Sequence, residues 1–343
     1  MVCQCFIIPK DVLDRFAKDL DLTESQRKAF ADAAQFENEW RKVRSVQTRL
    51  SAAARNMLVS GAQAVTPPAV TVYNCNHSTT LPGAPVANPG TSSDITAKTA
   101  FVETRAVADF YQTLFGRNSV DGAGKTLMSS IHFGVNYNNA FWNGNQMTYG
   151  DGDGKIFVDF TRADDVIGHE LTHGVTQFSS QLAYSNEAGG LNESISDVFG
   201  SMFRQWRAKQ TVAQADWLIG KEIMGPDAIA KGYTCLRDMA NPAAGHCLAP
   251  QPTHFSQYKN GMDPHYSSGI PNLAFYKAAT AIGGNSWDKA GKIWYKALTG
   301  FAPQPNMKMK TFANRTRTLA KSMFPGDRAV LAAVNGAWVA VGL

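Results

Sequence analysis

Two histidines four residues apart, His169 and His173, sit in the run DDVIGHELTHGVTQF. Val166, Ile167, Leu171 and Val175 give that run the spacing of a helix with a buried face. On a helix the two imidazoles share one side, one turn apart. Two neutral imidazoles so placed can bind one Zn2+. Glu170 follows the first histidine directly and can face the metal from the side without being a ligand. After nineteen intervening residues comes Glu193, in GGLNESISDVFGSMF, which reads as a second apolar-periodic helix preceded by a Gly-Gly turn. A carboxylate from that helix supplies a third ligand and leaves one tetrahedral position open for water. Asp197, one turn beyond Glu193, is suited to accept the spare N–H of a ligating histidine and fix its tautomer. HExxH alone can arise by chance on an amphipathic helix. The second element makes chance a poor explanation.

The elements that must position these residues read as three stretches. Residues 1–68 are helical and amphipathic, with Phe30, Phe36, Trp40 and Val43 recurring among charges, and end where Pro67 and Pro68 break any helix. Residues 69–185 are rich in Asn, Gly, Thr and aromatic residues. Their run YNNAFWNGNQMTYGDGDGKIFVDF reads as hairpins, and one helix interrupts them with Val107, Phe110, Tyr111 and Leu114 as its apolar stripe. This stretch closes with the HELTH helix. Residues 186–343 read as mostly helical. The expected fold is therefore α+β in two lobes, with an N-terminal helical segment in front and a cleft between the lobes for the site.

Bulk properties narrow the function. The chain has 343 residues, 44% hydrophobic and 18% charged, which suits a protein with real cores. A formal charge of +5 without a basic run interleaved with aromatics gives no nucleic-acid footprint. No stretch reaches membrane-spanning length, and the N-terminus lacks the apolar core of a secretory signal. Export without a recognisable signal peptide is the expectation, and a cytoplasmic precursor is compatible with it. Five cysteines, Cys3, Cys5, Cys75, Cys235 and Cys247, exclude a fully paired framework. For Cys235 and Cys247, which bracket one loop, a disulfide and a pair of free thiols both stay open.

HExxH followed by GxxNExxSD at this spacing resembles the thermolysin family of zinc metallopeptidases, the gluzincins. That family itself exemplifies the His2Glu ligand set. The resemblance runs from TTLPG at Thr79 through NNAFWNGNQMTYGDGDG and NESISD to HYSSGIPNLAFY at His265. It implies a two-lobed endopeptidase acting on polypeptides. Glu170 would be the general base toward a water activated by the zinc. His265 resembles the family's oxyanion-stabilising histidine, and Tyr184 its tyrosine partner. Asn139 and Ala140 match the edge strand that binds extended substrate, and Arg237 the arginine that holds a substrate carbonyl. Phe157, Phe160, Val166 and Leu236 match the apolar pocket after the cleaved bond, which implies a preference for bulky apolar residues there. Two positions depart from the family: Asn260 and Ser267 stand where an Asp and an Asn are usual. Asp263, two residues before His265, is the candidate to orient that imidazole instead.

CFIIPKDVLDRFA resembles the opening of short propeptides in the protealysin-like branch, with Lys10 where a second proline is usual. It implies that the first segment inhibits its own enzyme, with a cut expected between Ser60 and Val70. Thiolates at Cys3 or Cys5 would block the open metal position if they reached it. The family's double calcium site is expected to be absent. Asp165 and Asp216 keep two of its acidic positions, but Arg204, Lys221 and Leu218 occupy others, and the cations are expected to pair with the aspartates instead. Two rival readings are weaker. A catalytically silent binding protein would not need Glu170, and an enzyme of non-peptide amides would not need the Asn139–Ala140 strand.

Overall fold

A computed structural model describes residues 5–50 and 66–343, with side chains throughout these ranges except at 40–50. The N-terminal segment contributes a short strand β1 (Cys5–Phe6) and helices α1 (Lys10–Phe16) and α2 (Glu24–Leu50). Phe30 is fully buried, and Phe36 packs on Phe133, Tyr137 and Phe141 of the following lobe. The expected stripe therefore faces the rest of the protein. Its other members, Trp40 and Val43, lie outside the described side chains.

The next lobe contains β2 (Val70–Asn74), β3 (Ala84–Pro85), α3 (Ile95–Phe115), β4 (Leu127–Ile131), β5 (Ala140–Trp142) and β6 (Met147–Tyr149). Asp94 caps α3 by accepting from the Ala97 amide at 3.2 Å, and Gly116, in the left-handed region at φ 65°, ends it. Val107, Phe110 and Tyr111 of its stripe are buried. The six-stranded sheet has the order β1-β5-β6-β4-β2-β3. The expected hairpin is present as β5–β6, closed by Asn143, whose side chain accepts from the Asn145 and Gln146 amides. The sheet departs from a run of hairpins elsewhere, because β2 pairs with β4 and β4 with β6 in parallel. Parallel neighbours need a long crossover, here α3 between β2 and β4, and such distant pairings leave no local turn signal.

The helical part begins with α4 (Asp164–Gln177) and α5 (Asn186–Ala208). These helices cross with almost no side chain between them. A Cβ on Gly200 would stand 2.5 Å from the Asp165 carbonyl, and one on Gly168 would stand 3.1 Å from the Gly200 Cα. The expected Gly-Gly turn before Glu193 is not a turn: Gly189 and Gly190 lie inside α5. They are needed there because a Cβ would strike Pro264 at 2.7 Å and Ser267 Oγ at 2.4 Å. Between residues 209 and 263 the chain is mainly irregular. It forms the ribbon β7 (Leu218–Ile219) and β8 (Arg237–Asp238) around a short helix α6 (Pro226–Ala230). Helices α7 (Pro264–Ser267), α8 (Gly269–Ile282), α9 (Ala290–Thr299), α10 (Met309–Met323) and α11 (Arg328–Ala340) complete the chain. One continuous apolar core runs through both lobes and takes in Phe6, Ile7, Leu13, Phe16 and Phe30 of the N-terminal segment.

Candidate metal centre and substrate cleft

The close crossing of α4 and α5 brings their polar residues together in a fully buried space. His169 Nε2 and His173 Nε2 stand 3.0 Å apart, and each is 3.4 Å from a different oxygen of Glu193. Outside this convergence the imidazoles are held from behind. His169 Nδ1 donates to Asp197 at 2.8 Å, and His173 Nδ1 to Asn192 at 2.9 Å, with Ser196 Oγ 3.0 Å away. Both tautomers thus leave the Nε2 lone pairs pointing at each other and at a carboxylate, an arrangement that calls for a cation. Both carboxylate oxygens of Glu193 and of Glu170 are buried without a hydrogen-bond partner, as expected of groups meant for a metal and its water. Two imidazoles and one carboxylate are the donor set of an open zinc site, so the residues fit that ion.

Burial opposes a charged His169, but Asp197 and Glu193 outweigh it and raise its pKa to about 9, so the carboxylates draw positive charge to this centre and a zinc ion would displace the proton on Nε2. Burial outweighs the neighbouring carboxylate at His173, whose pKa is lowered. Glu193 stays well below the usual carboxylate range despite burial, because His265 and His173 favour its anion. Burial pushes the Glu170 carboxyl up to about 8, into the range useful for taking and returning a proton.

The pillar beneath this centre was not legible in the sequence. Arg237, fully buried on β8, grips Asp197 with two hydrogen bonds of 2.8 and 2.7 Å, and Asn272 of α8 adds a third at 2.8 Å. Burial would raise the Asp197 pKa, but Arg237 and His169 hold it down to about 2. Asn192 and Ser196 stand inside the GxxNExxSD motif and Asn272 ends the SGIPN run, so the residues were visible in the sequence while their partners were not. The Asp263 carboxylate lies 2.7 Å from His265 Nδ1 and also caps α7 through the His265 amide at 3.0 Å. Tyr184 Oη is 3.2 Å from His265 Nε2. Burial opposes a charged His265, yet Glu193 and Asp263 raise its pKa to about 9.

The cleft is filled by the N-terminal segment. β1 pairs antiparallel with β5, Cys5 opposite Trp142 and Phe6 opposite Phe141. The Ile7 amide donates to the Ala140 carbonyl at 3.1 Å, and Asn139 exchanges two bonds with the Ile8 backbone, at 3.0 and 3.3 Å. The Phe6 carbonyl accepts from His265 Nε2, and the Ile7 carbonyl from Arg237 at 3.1 Å. Cys5 brings its sulfur within 4.8 Å of ligand atoms of both His173 and Glu193. It does so as a disulfide-bonded residue and not as a free thiolate, while Cys3 lies outside the described residues. Phe157, Phe160, Val166 and Leu236 are all buried, with the rings of Phe157 and Phe160 5.5 Å apart and Phe30 of α2 reaching Phe157 at 6.2 Å.

A two-lobed fold with a buried His2Glu centre on two crossing helices defines a zinc metallopeptidase, and the chain belongs to the thermolysin family. Residues 41–177 match the family's catalytic domain, thermolysin metallopeptidase, and residues 180–343 its alpha-helical domain. Among relatives, it is 42% identical to an extracellular metalloprotease of Pectobacterium carotovorum subsp. carotovorum, covering 79% of this chain and 80% of that one. It is 38% identical to protease PrtS of Photorhabdus sp. (strain Az29), over 79% and 76% of the two chains. The structure is similar to the precursor of protealysin, a metalloproteinase from Serratia proteamaculans, with a TM-score of 0.83 and 37% identity over 98% and 99% of the chains.

Proposed function

We propose that this metalloendopeptidase is made as a zymogen whose own first segment fills the substrate cleft, and that Glu170 is its general base. The observation that carries this reading is the pairing of β1 with β5, which gives the segment the backbone contacts a substrate would need: Asn139, Ala140, Arg237 and His265.

His169, His173 and Glu193 would hold the zinc, with Asp197 keeping the His169 tautomer. Bound there, Zn2+ would supply Lewis-acid polarisation of the scissile carbonyl and of a water. Glu170, buried and unpartnered, takes the proton of the attacking water and returns it to the leaving amine. His265, kept protonated by Asp263 and Glu193, and the Tyr184 hydroxyl donate to the oxyanion as it develops. Ala140 and Asn139 hold the substrate backbone in extended form, and Arg237 takes a substrate carbonyl. The apolar pocket of Phe157, Phe160, Val166 and Leu236 favours bulky apolar residues after the cleaved bond.

Arg204 takes the place of calcium in this reading. Its guanidinium lies 3.5 Å from Asp165, 3.1 Å from Asp216 and 2.8 Å from Glu222, and Lys221 pairs with Asp216 at 3.2 Å. A fixed cation among those carboxylates removes the reason for a divalent one. The extracellular relative supports export; among the described residues no helix is long and apolar enough to cross a membrane.

The test is to incubate purified full-length chain with casein, with and without a chelator, while following its N-terminus by mass spectrometry. Casein cleavage that the chelator abolishes, rising as the first segment is trimmed between Ser60 and Val70, is expected. Full activity from chains still intact at residue 1 would refute the zymogen reading.

A further inference from the structure

Away from the catalytic centre, the loop that contains β8 closes on itself through two cysteines. Cys235 and Cys247 form a parallel β-bridge, flanked by backbone bonds from Thr234 to His246 at 3.0 Å, from Leu248 to Cys235 at 2.9 Å and from Ala249 to Leu236 at 3.1 Å. The bridge sets both thiols side by side, fully buried and free. Their sulfurs are 3.9 Å apart, and a ring nitrogen of His246 lies within 4.8 Å of both. Two thiolates on one tetrahedral zinc span about 3.8 Å, given Zn–S bonds of about 2.3 Å. The pair is therefore set at ligand spacing before any metal arrives.

We propose that Cys235, Cys247 and His246 form a second metal site, for Zn2+, which ties down the loop carrying Leu236 and Arg237. Two thiolates and an imidazole are the donors of a borderline-soft cation, and magnesium or calcium would find no oxygen cage here. Asp238 stands 3.3 Å from His246 Nε2, where its carboxylate favours a proton on that nitrogen and a lone pair on Nδ1. The same carboxylate is fixed by the Ala240 and Asn241 amides, at 2.8 and 3.0 Å. Ala244 and Leu218 cover the sulfurs with apolar surface, while the partly exposed His246 gives the ion its way in. The Cys235 thiol donates to the Cys247 sulfur. Binding releases both thiol protons to solvent.

The site has a reason to exist where it is. Residues 236 and 237 lie immediately after the first ligand, and Arg237 is the group that grips Asp197 behind His169 and reaches the Ile7 carbonyl of the N-terminal segment. That segment touches the same loop again through Arg15, which donates to the Leu248 carbonyl at 3.1 Å. A metal at Cys235 and Cys247 would stiffen the stretch that supports both the catalytic centre and its occupant.

The experiment measures bound zinc in the full-length Glu170→Gln chain, which does not digest itself, purified under mild reductant. About two zinc ions per chain are expected, falling to about one when Cys235 and Cys247 are both changed to Ser. Cobalt in place of zinc should give a thiolate-to-metal charge-transfer band that the double serine variant loses. His246→Ala, at the surface, should weaken the second site at least about tenfold while the first stays full. It decides the matter if the serine variant fails to fold. One zinc in both the parent and the variants, or a Cys235–Cys247 disulfide in the metal-loaded chain, would overturn the proposal.

Discussion

The carbonyl oxygen of Phe6 lies 2.5 Å from Nε2 of His265, so the N-terminal segment sits on the very nitrogen that a reacting carbonyl would need. Asn139 fastens the next residues with two bonds to Ile8. Each contributes about 1 kcal/mol net. Asn139→Ala in a Glu170→Ala chain should therefore loosen the segment, and trace wild-type enzyme should trim that chain several-fold faster than the Glu170→Ala parent. Equal trimming rates would show that this side chain does not hold the segment.

Glu170→Ala should keep about one catalytic zinc per chain while peptidase activity falls by roughly 10²-fold or more, the scale of a lost general base. His169→Ala, His173→Ala and Glu193→Ala should weaken metal binding itself. Zinc titration and casein hydrolysis on the same preparations separate the two outcomes; near-normal activity in Glu170→Ala would remove that residue from its role.

Asp197 joins His169 to Arg237, both fully buried. Asp197→Asn should weaken zinc by about 10–100-fold, since it loosens the tautomer of a ligand. It should also destabilise the chain, because Arg237 is left without its counter-charge. Competition against a chelator of known affinity reads the first effect and denaturant unfolding the second. Unchanged zinc affinity would reduce Asp197 to a packing role.

The melting temperature of an inhibited chain, at fixed ionic strength, should not respond to millimolar calcium. Arg204→Ala should lower stability by roughly 2 kcal/mol or more, because it strands the buried Asp165 beside Asp216 and Glu222. A large calcium-dependent rise in the parent, lost in Asp165→Asn, would mean that calcium binds here.

His132 gives the molecule a dependence on alkali. A hydrogen bond to Asp151 at 2.8 Å, working against burial, and a contact of 3.1 Å with Asp94 raise its pKa from 6.5 to about 9. Between those values the folded chain holds a proton that the unfolded chain has lost. The stabilisation is full below the unfolded value of about 6.5 and disappears as pH rises through about 9. Melting temperature should fall over that range in the Glu170→Ala chain, and more gently in His132→Gln. Parallel curves for the two would dismiss the cluster as a contributor.

What the sequence made legible was what periodicity carries. The spacing of His169, His173, Glu193 and Asp197 on two amphipathic helices gave their meeting, and the Phe30 and Phe36 stripe gave the docking face of α2. What it hid depends on close approach and distant pairing. Gly189 and Gly190 read as a turn because a glycine pair is a turn signal in isolation, and only the presence of α7 shows that they are space for another backbone. The grip of Arg237 on Asp197 joins residues 40 positions apart through a loop without a period. The parallel pairings of β4 were hidden for the same reason.

The place of β1 at the end of the sheet has a further consequence, for solubility. While β1 is present, the backbone groups of Ala140, Phe141 and Trp142 along β5 have a partner, and the edge on that side is only the two-residue β1. Once the segment leaves, β5 becomes a free edge with three large or apolar residues in succession, a template that other extended chains can join. On the proposed function, substrate recognition requires that edge to be open, and self-association would exploit the same opening. The uncut chain should then be less prone to edge-to-edge aggregation than a trimmed one.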